Sequence, residues 1–76
     1  MSTCNIDHSK TDVIKKLQSQ ESFLPNELYN KAAQFLEKEH TQLTLNELFH
    51  LLKKYDLANE EEQHKRNFAM EELFQA

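Results

Sequence analysis

The chain has 76 residues with one cysteine, one proline and no glycine, and a formal net charge of −4 with its histidines neutral. A chain this short forms one domain and buries only about 60% of the surface its unfolded form exposes. Its acidic balance argues against bulk binding to nucleic acid or an anionic membrane, and without glycine a phosphate loop, a dinucleotide fingerprint or an EF-hand loop of the usual form is excluded.

Residues 1–8 read as a disordered tail, and residues 9–76 as a single helical domain. Cys4 sits in the tail among polar residues. A lone cysteine makes no internal disulfide, so a reducing compartment is expected. Met1 to Lys10 has neither a basic n-region nor an apolar h-region, and no stretch approaches the roughly 18 apolar residues of a membrane span. The cytoplasm is the expected setting, with no membrane partner.

Ser9 is placed to cap a first helix over about 10–20, with Asp12 three residues later as a weak capping box. Its apolar stripe is narrow, only Val13, Ile14 and Leu17. A helix this short is marginal alone and depends on docking that stripe.

Ser22-Phe23-Leu24-Pro25 breaks the chain. Pro25 suits the first helical position, where a missing N–H costs nothing, and Phe23 and Leu28 suit a hydrophobic staple. The second helix is predicted over about 25–39. Leu28, Tyr29, Ala32, Ala33, Phe35 and Leu36 share its broad inner face.

His40 to Leu43 reads as a connection. Thr44 with Glu47 forms a capping box, and Leu43 is spaced to staple onto Leu48. The third helix is predicted over about 45–56. Leu45, Leu48, Phe49, Leu52 and Tyr55 form its stripe, with Leu51 on the flank. Leu48, Phe49 and Leu52 are the expected centre of the core.

Asn59 caps a fourth helix, over about 60–75, with Glu62 at the third position. Glu60–His64, Glu61–Lys65 and Glu62–Arg66 are spaced i, i+4 with the acid N-terminal, the favourable orientation. Apolar residues are confined to the end. Ala69, Met70, Leu73 and Phe74 share one face, with Ala69 and Leu73 expected as its anchors, while Phe68 points well away.

The chemistry-bearing residues form no constellation. The four histidines, His8, His40, His50 and His64, include no pair at i, i+3 or i+4, so no metal site is expected. Glu60-Glu61-Glu62 is explained as the acidic start of a helix rather than as a cation loop. Most of the serines and threonines sit in the tail or at helix starts, where capping explains them, and no Ser/His/Asp or Cys/His constellation can be placed on rigid elements, so neither catalysis nor a cofactor is expected.

The prediction is therefore an all-α domain, a small bundle of three main helices with a weaker N-terminal fourth. Its expected role is a non-enzymatic protein–protein interaction module, a regulatory adaptor or inhibitor acting through a helical surface. The candidate surface is Phe68, Met70 and Phe74, and the partner another protein or a second copy of the chain, since one helix cannot turn both of its aromatic sides into one small core. The alternative is a helix-turn-helix DNA-binding protein reading bases with Gln63, His64, Lys65, Arg66 and Asn67 of the helix at about 60–75. The three glutamates at the start of that helix oppose phosphate approach.

Overall fold

Four α-helices pack in a ring. α1 spans Lys10–Ser19, α2 Asn26–Phe35, α3 Gln42–Leu52 and α4 Glu60–Gln75, with a 3₁₀ turn at Tyr55–Leu57. The structure is a computed structural model that describes residues 8–75. Among these there is no strand. Cys4 and the rest of the expected tail up to residue 7 lie outside the described residues.

α1 packs on α3, α3 on α4, α4 on α2 and α2 on α1. Cross-contacts give the directions. His8 reaches Asn46, and Gln20 reaches Asp56, so α1 and α3 run the same way. Lys31 meets Glu71 and Phe35 meets Phe74, so α2 and α4 do too. The α1–α2 and α3–α4 corners therefore lie at one end, joined by the Gln20 amide donating to Asp56 Oδ1 at 3.1 Å.

The core is the meeting of the predicted stripes. Val13 and Leu17 of α1, Leu28 and Ala32 of α2, and Leu45, Leu48 and Leu52 of α3 are buried, as are Leu24, Leu36, Tyr55 and Met70. The weak first helix docks with Val13 fully covered. Phe49, expected at the centre of the core, is only half-buried.

Helix boundaries depart from expectation at four points. Pro25 is the N-cap of α2 rather than its first residue. Its carbonyl accepts Tyr29 N–H at 2.9 Å. Leu24, not Phe23, then turns inward, and Phe23 is left exposed. α2 ends at Phe35, four residues early, because the chain tightens into i→i−3 bonds from Glu37 to Gln34 and from Lys38 to Phe35. The His40 ring stacks on Phe35 and hydrogen-bonds its carbonyl, satisfying an acceptor that a continuing helix would have used.

α3 starts three residues early. Thr41 is its cap, accepting Thr44 N–H at 3.2 Å. The extra turn carries Gln42, one turn before Asn46, and the two hold the His8 backbone. Asn46 Oδ1 accepts His8 N–H at 2.8 Å, and the Gln42 amide donates to the His8 carbonyl at 2.6 Å. Leu43 lies on this added turn and is 77% exposed, so it staples nothing. The stripe from Leu45 onward keeps its phase, because moving a helix start does not alter the spacing beyond it.

α3 also stops at Leu52 instead of running to 56. Lys53 is extended and Lys54 is left-handed, with φ 59° and ψ 25°. Lys54 is the one positive-φ residue among those described. The turn drops Tyr55 into the core end, where its hydroxyl is placed against α4.

Candidate interaction surface

Apolar content alone does not seat the first half of α4. Polar tethers do. Gln63 donates to the Tyr55 carbonyl at 2.9 Å. The Tyr55 hydroxyl donates to Asn67 Oδ1 at 2.6 Å, and Arg66 Nη1 donates to the Lys53 carbonyl at 2.7 Å. Arg66 also pairs with Glu62 at 3.0 Å, the one i, i+4 ion pair formed among the three expected. Asn59 caps the helix as predicted, accepting Glu62 N–H at 2.8 Å.

The inner seam of α4 thus reads Gln63, Asn67, Met70, Phe74, spaced 4, 3 and 4, the repeat by which a helix keeps one narrow face on its neighbours. Met70 is its centre and is 0% exposed. Ala69 and Leu73, the expected anchors, are half-buried on its flank. The seam is rotated from the apolar stripe because its first half is polar, so apolar spacing alone misses its centre.

The three residues of the candidate surface are separated by this geometry. Met70 is core and faces no partner. Phe74 is half-buried, its ring 4.9 Å from Phe35. Phe68, two residues before Met70, lies about 200° of helical rotation away from it and is 68% exposed. Its helix neighbours on that outer face are Glu61, His64, Lys65, Glu72 and Gln75, all exposed. The outer face is therefore one large aromatic in a ring of polar side chains.

Between α2 and α4 lies an open groove of about 600 Å³, lined by Phe35 and Phe74 with Lys31, Lys38, Glu37 and Glu71 among its charged residues. The Lys31–Glu71 pair spans it at 3.0 Å. Its two cations and two anions leave the groove with no net charge.

On the α1–α3 side, the His8 ring stacks on Phe49 at 3.6 Å, the Lys16 ammonium lies 5.5 Å from the same ring, and His50 meets both rings edge-on. His8, expected in the tail, is seated on α3. Among the described residues no three of His, Cys, Asp and Glu converge as a metal site, and no helix is long and apolar enough to cross a membrane.

No family model matches the chain, and the searches of curated proteins and of solved structures return no match.

Proposed function

We propose that this chain is a non-enzymatic interaction module that presents the outer face of α4 to a protein partner through Phe68. One observation carries the reading. A large aromatic is held in solvent at the middle of a helix whose opposite face is seated on the bundle through Gln63, Asn67 and Met70, so its position is set by the seam and not by a need to cover it. An isolated aromatic ringed by polar side chains has the make-up of a small recognition patch, an apolar anchor within a polar rim. A cytoplasmic, reducing setting fits a chain with one cysteine.

The helix-turn-helix alternative loses support from the tethers. Gln63, Arg66 and Asn67, three of its five base-reading candidates, are engaged with Tyr55 and Lys53. His64 and Lys65 stay outward, beside an exposed Glu61.

The test is Phe68→Ser, compared with the unchanged chain in association assays that read both self-association and capture of other proteins. Association falling at least tenfold, about 1.4 kcal/mol, is the expected result. Association that survives the substitution would move the surface elsewhere.

A further inference from the structure

We propose that the occupant of the α4 outer face is a second copy of this chain, laid antiparallel about a two-fold axis at Phe68. This rests on the recognition role of Phe68 and names its partner. Lys65 lies three residues before Phe68 and Glu72 four after, at axial offsets of about 4.5 and 6 Å. Both sit on the same side of the aromatic, about 60° and 40° around the helix from it. In an antiparallel pair crossing at Phe68, residues before the crossing on one copy come level with residues after it on the other. Lys65 of each copy then faces Glu72 of the other, giving two ion pairs around a Phe68–Phe68 contact. A parallel pair would set Glu72 of each copy beside Glu71 of the other and Lys65 beside His64, so the charge order selects the antiparallel one. Both side chains are exposed, and neither belongs to the ion pairs formed within the described residues, Lys31–Glu71 and Arg66–Glu62. Of the remaining outer residues, Glu61 comes level with Gln75 across the axis and His64 with Glu71, and neither pairing is a like-charge clash.

A single helix-on-helix contact is smaller than the roughly 800 Å² per partner of a standard interface. The dimer is therefore weak, with Kd on the order of 10–1,000 μM, and its ion pairs weaken with salt.

Sedimentation equilibrium of the full chain at low salt, up to about 1 mM, tests this directly. The mass of the unchanged chain rises with concentration from that of the monomer toward that of a dimer, and Phe68→Ser weakens the association at least tenfold. Lys65→Glu and Glu72→Lys each weaken self-association about five- to tenfold. An equimolar mixture of these two variants pairs at least as tightly as the unchanged chain, because each supplies the charge the other lost. The double variant Lys65→Glu/Glu72→Lys also recovers self-association. Circular dichroism melts on each variant confirm that the fold is kept. A chain that stays monomeric throughout overturns the proposal, and so does a dimer indifferent to both charge reversals. A monomer that still captures another protein through Phe68 overturns the second copy while leaving the recognition role standing. No Phe68-dependent association of either kind removes both.

Discussion

At the residue scale, the two threonines before α3 show how a cap is chosen. Thr44 has the better local signature, with Glu47 three residues on and Leu43 before it. Thr41 does the work, because an earlier start lets Gln42 and Asn46 grip His8, contacts 34 and 38 residues distant in sequence. Thr41→Ala is expected to cost about 1 kcal/mol, as a lost N-cap does, and Thr44→Ala less than about 0.5 kcal/mol. Denaturant unfolding of the two variants reads the difference, and the reverse order would place the start of α3 at residue 45. Ser9 and Asn59 were legible as caps because nothing distant competes with them. Thr41 was hidden because its advantage comes from another segment.

At the element scale, the ends of the helices were less legible than their faces. The stripes Val13–Leu17, Leu28–Ala32 and Leu45–Leu48–Leu52 all reach the core, since apolar side chains at helical spacing have one favourable destination. The stop of α3 was not visible. A lysine in the left-handed region is disfavoured, costing on the order of 1 kcal/mol, and in a chain without glycine no residue announces such a turn. Lys54→Gly is expected to raise stability by about 0.5–1 kcal/mol and Lys54→Val to lower it by at least as much, because a β-branched residue tolerates positive φ least. A melting temperature that falls with glycine and holds with valine would mean that α3 continues through residue 54. The seat of α4 was missed for a different reason. Gln63 and Asn67 occupy seam positions by bonding Tyr55, and a hydropathy pattern reads polar residues as solvent-facing.

At the scale of the whole molecule, four short helices close a ring in which each packs on two others. Burial is concentrated in a few side chains, among them Leu48, Leu52, Tyr55 and Met70. A domain of this size has little surplus stability, and the loss of one such side chain approaches the whole of it. The outward Phe68 lies outside that economy, which makes it separable from the fold. The prediction of an all-α bundle follows from the stripes and caps. The assignment of Met70 to the partner surface fails because the polar half of the seam turns that residue inward. The most direct measurement is a pair of melts, Phe68→Ser against Met70→Ala, at a protein concentration where the unchanged chain is monomeric. Phe68→Ser is expected to stay within about 0.5 kcal/mol of the unchanged chain, and Met70→Ala to lose about 2–5 kcal/mol or fail to fold. A Phe68→Ser variant as destabilised as Met70→Ala would show that Phe68 belongs to the core, and the recognition surface would go with it.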